Sequence, residues 1–517
     1  MSTNGPSSDK IQELCDQSRL LREVHLNNPY RPGYHFVVPE GVAAPADPNG
    51  AIFWNGRYHL FYIYQQDTKH YWGHISSIDL LHWRFHPAAL GPGDGDDGIF
   101  SGGAFIDRDG VATITYWGLR PTGDGICIAR STDPMLDKWT KEPANPVIAS
   151  TQWGLAEAEV DGKPVVYGTA DPSQIWEHDG HYYLVTGNLL VLKEYGEKRK
   201  VDEHLGDTVY LFRSDDLVHW TYLHPFYRSR REWTRDFEDN MCPDFFPLPS
   251  SASGGPASAK HMMLFISHTL GCQYYIGDYA NNQFAPENHG RFTHADRAYF
   301  APESLSDPAG RRILWTWLLD QRSAEVRRGS GSSGELSLPR VVWLGDDGTL
   351  RMQPAEEFKR LRINPVKLPD QLITPNCDVP VPTASTNSLE ISVRFHIGDS
   401  TKCGVRVACS PGGDEQTLVY YDSANRALVI DTSRSSLSDG EKVLESAPFE
   451  LASGEALDLR VFVDKSIVEA YANDRQAVVR RIYPSRQDSN GVALFTEGAP
   501  ARATDITAWE IMPSNPF

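Results

Sequence analysis

Asp47 is the carboxylate whose sequence setting first points to chemistry. It opens the stretch Asp47-Pro48-Asn49-Gly50, which has the composition of a tight turn because proline fixes one φ angle and Asn-Gly tolerates a positive φ. An apolar run follows, so we expect Asp47 to stand at a corner beside a sheet and to present its carboxylate rather than bury it. The stretch alone leaves a second interpretation open, in which Asp47 only caps its own turn.

A second group of carboxylates lies in the middle of the chain. The stretch 235–240 carries Asp236, Glu238 and Asp239 shortly before Met241. Carboxylic groups of this kind can act as nucleophile or as acid and base in catalysis. The alternative is that Glu238 and Asp239 only offset the positive charges of a solvated loop, which come from Arg230, Arg231 and Arg235.

The elements that must position these carboxylates are short strands. Residues 51–62 have the pattern of a strand, an Asn-Gly turn and a second strand, which predicts a β-hairpin. Similar units, each with an apolar strand, a turn and an aromatic-rich strand, recur at 112–117, 173–187, 262–279 and 312–319. The units indicate a β-propeller, although their spacing is too loose to fix the number of blades.

A change of pattern divides the chain into domains. Beyond about residue 375, dense alternating strands with polar turns favour a β-sandwich. We therefore predict an all-β fold, with an N-terminal extension carrying a short helix (1–29), a propeller domain (30–355), a linker (356–374) and a sandwich domain (375–517). A chain of 517 residues is long enough for two well-buried cores.

The charge and composition of the chain limit the classes of partner and the compartment that we expect for it. The formal net charge of −19 argues against nucleic acid, whose backbone needs a basic surface. The sequence has no run of about 18 apolar residues, so we predict no membrane span. The N-terminal stretch is polar and lacks the apolar core of a signal peptide. The seven scattered cysteines favour reduced thiols, so we expect a cytoplasmic protein. No motif implies a metal or a cofactor, and a homo-oligomer is left open.

Several motifs follow one another in a fixed order: Asp47-Pro48-Asn49-Gly50, Tyr71-Trp72-Gly73-His74, Phe100-Ser101-Gly102, Asp171-Pro172, Cys242-Pro243-Asp244-Phe245-Phe246 and the stretch 460–469. In this order they resemble glycoside hydrolase family 32, the invertases and fructan hydrolases. The resemblance implies a five-bladed β-propeller followed by a β-sandwich. It also implies a retaining hydrolase that releases terminal β-fructofuranosyl units from sucrose or short fructooligosaccharides through a covalent fructosyl-enzyme.

The resemblance assigns roles to individual residues. Asp47 would be the nucleophile, and Asp171 would bind sugar hydroxyls and stabilise the transition state. Phe100 and Ser101 would contact the fructose. Three further candidates for substrate binding are Asn49, which could instead hold its turn, Trp72, which could instead be a core residue, and Gln65, which could replace a glutamine that the family has at the position of Ile63.

The departures from the family lie where a proton donor is needed. Met241 stands at the position of the catalytic glutamate, and a methionine cannot donate a proton. Retaining hydrolysis needs a second carboxylic group about 5–5.5 Å from the nucleophile. We expect Glu238 to supply it, with Asp239 as the alternative or as a substrate contact. A shift of three residues along a strand moves a side chain by roughly 10 Å, so a bulge or an altered loop would have to absorb it.

Two other functions remain open at this point. With the same chemistry the acceptor could be another sugar, which would make the protein a fructosyltransferase. The loss of the glutamate at position 241, together with Ala170 in place of the family's arginine, would also fit a non-catalytic fructan-binding or sensor protein.

Overall fold

The computed structural model describes residues 7–41, 43, 45–189, 191, 206–330, 332–383, 386–438 and 442–515. The short helix predicted in the N-terminal extension is α1 (Ser8–Asn27), which Ser7 caps by accepting a hydrogen bond from the backbone nitrogen of Lys10 at 3.3 Å. Residues 1–6 of that extension lie outside the described ranges. Within the described ranges, no helix is long and apolar enough to cross a membrane.

Five antiparallel sheets follow one another between residues 48 and 354 and form the five blades of a propeller. The first two consist of β1–β4 (Pro48–Trp54, Arg57–Gln66, Lys69–Ser77, Trp83–Leu90) and β5–β10 (Gly98–Ile99, Ala104–Ile106, Ala112–Arg120, Gly123–Ser131, Thr140–Lys141, Ile148–Ala149). A hairpin of β11 and β12 (Leu155–Val160, Lys163–Gly168) precedes the third sheet. The hairpin predicted for residues 51–62 is the pair β1 and β2.

The other three blades repeat the arrangement. They consist of β13–β17 (Ala170–Pro172, Trp176–His178, His181–Gly187, Val209–Ser214, Trp220–Tyr227), β18–β21 (Met241–Pro249, Ala257–Ser267, Gly271–Ala280, Gln283–Arg291) and β22–β26 (Tyr299–Ser306, Arg312–Leu318, Glu335–Leu336, Arg340–Leu344, Leu350–Pro354). Helix α2 (Ala324–Ser330) lies between β23 and β24. The propeller predicted from the sequence units is therefore confirmed.

The sandwich domain contains one sheet of seven strands and one of six. Alternate residues of the two sheets point inwards and form a separate apolar core, which includes Ile391, Val405 and Val461. The strands are β27–β39: Arg362–Lys367, Gln371–Ile373, Val379–Pro380, Ser388–His396, Lys402–Cys409, Thr417–Asp422, Ala427–Asp431, Leu444–Pro448, Leu457–Asp464, Ile467–Ala472, Gln476–Arg481, Gly491–Glu497 and Ala501–Ile511. The all-β prediction is confirmed in both domains.

The segment 356–374, predicted as a linker, is instead built into the sandwich. A 3-10 helix (Glu356–Leu361) leads into β27, and both β27 and β28 pair with β39. The prolines of this segment suggested a linker, but β27 is an edge strand, and an edge strand tolerates a proline because one side of it needs no ladder partner.

The first strand of each blade is interrupted at a corresponding place. In β1, β13, β18 and β22 the pairing register shifts, and a residue at each shift has a positive φ: Gly50 (53°), Asp171 (40°), Cys242 (47°) and Ala301 (49°). In the second blade the break is the Ser101-Gly102-Gly103 stretch between β5 and β6. A bulge bends a strand and changes the direction of its side chains. β1 contacts β6 and β22, and β18 contacts β13 and β22, so the breaks face a common centre.

Asp464, at the end of β35, attaches the sandwich to the entrance of the propeller. Its two carboxylate oxygens accept hydrogen bonds from the backbone nitrogens of Gly33, Tyr34 and His35 at 2.6, 2.8 and 2.7 Å. Nδ1 of His35 lies 3.0 Å from the same carboxylate. The side chain of Asp464 is fully buried, so these donors depend on one acceptor.

Replacing Asp464 by alanine should therefore destabilise the protein strongly. Each buried donor that loses its partner costs about 1–3 kcal/mol, so we expect a loss of at least about 3 kcal/mol in the free energy of unfolding. Asp464→Asn, which keeps one acceptor oxygen, should lose less. The control is Asp458→Ala on the same strand, where the aspartate is exposed and pairs with Arg394. Equal melting temperatures for Asp464→Ala and the control would contradict this assignment.

Candidate active site

The interrupted strands surround a cavity of about 720 Å³. Each blade contributes to its lining, in chain order through Asp47, Phe100 and Ser101, Asp171, Met241 and Cys242, and Phe300. The propeller thus brings together side chains that lie more than 250 positions apart along the chain. A cavity with a few convergent polar groups is the expected form of a ligand site.

Asn49 fixes the turn that carries Asp47. Its Nδ2 donates to the carbonyl oxygen of Asp47 at 2.7 Å, and its Oδ1 accepts from the backbone nitrogen of Gly102 at 3.0 Å. Asn49 is buried and is not among the described residues that line the cavity. The expectation that Asn49 binds a sugar hydroxyl is therefore corrected, because both ends of its amide hold backbone groups.

The carboxylate of Asp47 faces the cavity but is almost completely buried. Oδ2 accepts a hydrogen bond from Ser101 Oγ at 3.3 Å, and Oδ1 has no hydrogen-bond partner among the described residues. Burial, with a further contribution from the negative charge of Asp171, raises the pKa of Asp47 to about 7. The expectation that the turn would present this carboxylate rather than bury it is wrong.

Asp171 is the second carboxylate of the cavity. It lies at the bulge of β13 and accepts a hydrogen bond from Cys242 Sγ at 3.4 Å. Burial raises its pKa to about 6, while the positive charge of His268 and the hydrogen bonds from Cys242 act in the opposite direction. Two acidic groups with raised pKa values in one cleft mark a functional site.

Glu238, predicted as the general acid, is held elsewhere. Its carboxylate is fully buried and accepts hydrogen bonds from Arg291 Nη2, Gln273 Nε2 and the backbone nitrogen of Arg235, all at 3.0 Å. Glu238 is not among the described residues that line the cavity. The assignment is therefore corrected: this carboxylate forms a buried ion pair with Arg291, and the loop does not carry it to the site.

Asp239 is fully buried too, but it reaches the cavity through a histidine. It accepts hydrogen bonds from the backbone nitrogen of His268 at 2.8 Å and from Nδ1 of the same residue at 2.5 Å. His268 lines the cavity, whereas Asp239 is not among its described lining residues. The direct substrate contact expected for Asp239 is thus corrected, because its carboxylate is occupied by His268.

Two further sequence candidates lie outside the cavity lining. Trp72 is fully buried, and its Nε1 donates to the carbonyl oxygen of Phe100 at 3.0 Å, so it supports Phe100 from behind. Gln65 is exposed near the end of β2, where it pairs with His70. The two corrections have different reasons: Trp72 belongs to a buried apolar cluster, and Gln65 lies at the exposed end of its strand.

Aromatic rings form one wall of the cavity. Phe100 packs against Trp117 with ring centroids 5.4 Å apart, and Trp117 packs edge-on against Trp153 at 5.1 Å. Phe300 and Trp317 line the cavity from the fifth blade. Such rings are suited to the apolar faces of a sugar. The roles of Trp153, Phe300 and Trp317 were not predicted, although Trp317 belongs to the apolar unit predicted at 312–319.

His268, Arg297 and Arg327 are the cationic side chains that sequence reasoning missed. All three line the cavity. The sequence did contain an indication of His268. The apolar run 262–266 gives way to polar residues there, which puts a histidine just beyond the end of a buried strand. Nothing in the local sequence indicated the two arginines.

One group in the described part of the chain has donor atoms close enough for a metal ion, namely His74, His86 and Asp137. Nδ1 of His86 is already within 2.6 Å of Asp137, and Nε2 of His74 is within 2.9 Å of His59 Nδ1. None of the three lines the cavity. The hydrogen bond between His86 and Asp137 therefore joins the first blade to the segment between β8 and β9.

Asp47→Asn should change how stability depends on pH. The folded pKa of about 7 lies above the ordinary value of 3.8, so between these values the folded state binds more protons and stability falls as pH rises. Asparagine does not ionise. The melting temperature of Asp47→Asn relative to wild type should therefore increase from pH 4 to pH 8, by an amount corresponding to roughly 1–4 kcal/mol.

Asp79→Asn is the control with the opposite sign. Against the effect of partial burial, hydrogen bonds from His82 hold the pKa of Asp79 at about 2. A lowered pKa stabilises the folded state above the ordinary value, so this variant should lose stability relative to wild type as pH rises from 2 to 5. A melting difference for Asp47→Asn that did not change with pH would show that the carboxylate is not desolvated.

Two family profiles together match almost all of the chain. The glycosyl hydrolases family 32 N-terminal domain matches residues 35–354, and the glycosyl hydrolases family 32 C-terminal domain matches residues 353–510. Among curated relatives, the insoluble β-fructofuranosidase isoenzyme CWINV1 of Arabidopsis thaliana is 27% identical over 98% of this chain and 95% of its own. Sucrose-6-phosphate hydrolase of Zymomonas mobilis is 28% identical over 99% and 98%.

The fold agrees with solved structures. Fructan 1-exohydrolase IIa from Cichorium intybus, also solved with 1-kestose, superimposes with a TM-score of 0.80 at 24% identity over 94% of this chain and 98% of its own. Exo-inulinase from Aspergillus awamori gives 0.76 at 21% identity over 95% and 99%. With its two profile matches in sequence order, and with the propeller and sandwich in place, the chain belongs to glycosyl hydrolases family 32.

Proposed function

We propose that the protein is a retaining β-fructofuranosidase that releases terminal fructosyl units from sucrose or short fructooligosaccharides. The observation that carries the proposal is that one aromatic-lined cavity brings together Asp47 and Asp171, the residues to which the family resemblance gives the roles of nucleophile and transition-state stabiliser. Relatives named β-fructofuranosidase and fructan exohydrolase support the same substrate class.

The two carboxylates have different roles in the proposed reaction. Asp47, one oxygen of which has no hydrogen-bond partner in the described part of the chain, attacks the anomeric carbon of the fructosyl unit and forms a covalent ester, which water then hydrolyses. Asp171 accepts hydrogen bonds from sugar hydroxyls, and these bonds strengthen as positive charge develops on the ring. Met241 offers no proton to the leaving group, so this reaction needs a donor from another position.

The test is the release of glucose and fructose from sucrose, 1-kestose and inulin by wild type and Asp47→Asn. A hydrolase releases both sugars from sucrose in equal amounts, whereas a fructosyltransferase releases more glucose than fructose. Asp47→Asn should be inactive while remaining folded, because the covalent intermediate cannot form. Binding of these sugars by calorimetry without any release would establish the binding-protein alternative instead.

A phosphorylated disaccharide is a second candidate substrate. Arg297 and Arg327 both line the cavity, and arginine forks match the geometry of phosphate. Nη1 of Arg327 donates to the carbonyl oxygen of Asp320 at 2.9 Å, which places the guanidinium at the edge of the site. Relatives named sucrose-6-phosphate hydrolase support this candidate.

Arg327→Gln should separate the two substrates. If a phosphate binds here, the variant should lower kcat/KM for sucrose 6-phosphate about tenfold or more, as expected for a lost charge-assisted contact, and leave kcat/KM for sucrose nearly unchanged. Arg328→Gln is the matched control, since Arg328 is exposed on the same helix and does not line the cavity. Equal effects on both substrates would remove the phosphate candidate.

We also propose that the protein works in a reducing compartment such as the cytoplasm. All seven cysteines are free thiols, and scattered free thiols are typical of intracellular proteins. Fractionation of the source cells, with assay of fructose release in each fraction, tests this location.

A further inference from the structure

We infer that His268, held in place by Asp239, is the general acid and base of this site and takes over the task of the glutamate that position 241 lacks. The inference rests on the proposed function, because it names the proton donor that fructoside hydrolysis requires. It follows from the lining of the cavity, the register of the fourth blade and the hydrogen bonds of His268.

The cavity offers few candidates for a proton donor. Its described titratable lining residues are Asp47, Asp171, Cys242, His268, Arg297 and Arg327. Arginine does not give up its proton at neutral pH. The thiol of Cys242 donates to Asp171, and burial raises its pKa well above the usual range. With Asp47 as nucleophile and Asp171 on the sugar hydroxyls, His268 is the group that remains.

The register of the fourth blade places His268 close to position 241, where Met241 replaces the family's glutamate. Met241 at the start of β18 pairs with Ile266 near the end of β19, and His268 follows Ile266 by two residues. Two residues along a strand span roughly 7 Å, which is about the reach of a glutamate side chain plus a hydrogen bond. The imidazole, which belongs to the turn after β19, lines the same cavity as position 241 and can take the place of a glutamate there as proton donor.

Asp239 fixes both the orientation and the tautomer of the imidazole. It accepts from the backbone nitrogen and from Nδ1 of His268, so Nδ1 carries a hydrogen in both protonation states. The nitrogen that exchanges a proton with the substrate is therefore Nε2, which has no hydrogen bond to another described residue. The side chain of His268 is 40% exposed, whereas that of Asp239 is fully buried. Asp239 is thus a positioning residue.

The charges around His268 favour its protonated form. Burial alone would lower its pKa, but the carboxylates of Asp239, Asp171 and Asp47 raise it above the ordinary value of 6.5. Two cations, Arg297 and Arg327, line the same cavity, and Nη1 of Arg297 donates to the carbonyl oxygen of His268 at 3.2 Å. An imidazolium is therefore available near neutral pH to protonate a leaving group.

The proposed reaction has two steps, formation and hydrolysis of the fructosyl ester. Nε2 of His268 gives up one proton in the first step and regains one in the second. In the first, the Asp47 carboxylate forms a bond to the anomeric carbon, the bond to the leaving oxygen breaks, and that oxygen takes its electron pair and the Nε2 proton. In the second, neutral Nε2 removes a proton from water as the water oxygen bonds to the anomeric carbon. In the same displacement the ester bond breaks, its electron pair returns to Asp47, and free fructose leaves with His268 protonated again.

His268→Asn tests the acid step, because its amide can still donate to Asp239 but cannot titrate. The variant should lose about 10²-fold or more in kcat/KM for sucrose, whose leaving group needs a proton. For fructosyl fluoride, whose leaving group does not, the loss should be less than about tenfold. The matched control is His261→Asn on β19, whose side chain does not line the cavity and which should show similar ratios for both substrates.

The base step has its own readout. With fructosyl fluoride, His268→Ala should accumulate the fructosyl ester of Asp47, detectable as an added fructosyl mass on the intact protein. Azide, which needs no base, should speed turnover of this variant and yield fructosyl azide. The double variant with Asp47→Asn should carry no ester.

The pH profile tests the positioning role of Asp239. Asp239→Asn removes a carboxylate that stabilises the imidazolium, so the alkaline limb of kcat/KM for sucrose should move to lower pH. A purely structural role would lower activity without moving this limb. Glu238→Gln, which breaks the buried pair with Arg291, should reduce thermal stability and leave the limb in place.

The outcomes separate this inference from the proposed function. Equal losses on sucrose and fructosyl fluoride in His268→Asn, or no loss on either, would overturn the role of His268 while wild-type hydrolysis still stood. Azide rescue in Asp171→Asn instead of His268→Ala would assign the proton to Asp171. A wild-type protein that released no fructose from any substrate would overturn the proposed function and the role of His268 together.

Discussion

The site depends on the interruption of the first strand in every blade. A regular strand would turn alternate side chains towards the neighbouring blades, and the bulges redirect them towards the centre. At three of the bulges the residue with positive φ is not glycine but Asp171, Cys242 or Ala301. A left-handed backbone costs an ordinary residue about 1–2 kcal/mol, so the surrounding sheets must hold these three residues in place. The cavity is therefore a strained part of an otherwise regular propeller.

Electrostatics sets the second constraint. Asp47 and Asp171 are both withdrawn from water and repel each other, which explains why burial and mutual charge raise the pKa of Asp47 so far. The positive charge of His268 lowers both values, so an imidazolium facing them favours the ionised nucleophile. Protonation of the donor and ionisation of the nucleophile thus support each other, as retaining hydrolysis requires.

The sequence predicted what depends on local pattern. Turn chemistry and apolar runs revealed the strands, and the ordered motifs located Asp47, Ser101 and Asp171, which do meet in the cavity. The directions of Glu238 and Asp239 could not be predicted, because adjacent positions in one acidic loop turn to different partners. Glu238 pairs with Arg291 from β21, and Asp239 with the residue that follows β19. Those partners are distant in sequence and become neighbours only through strand register.

The changes at the site are linked through charge. Relative to the family pattern, Ala170 removes an arginine and Met241 removes a glutamate, so one positive and one negative charge are lost together. Both replacements are fully buried, where an unpaired charge would be costly. His268 restores a single positive charge beside the two remaining carboxylates, and Asp239 balances it from the side away from the cavity. Losing the arginine and the glutamate together thus avoids an unpaired buried charge, and an imidazole that can carry a proton lines the same cavity.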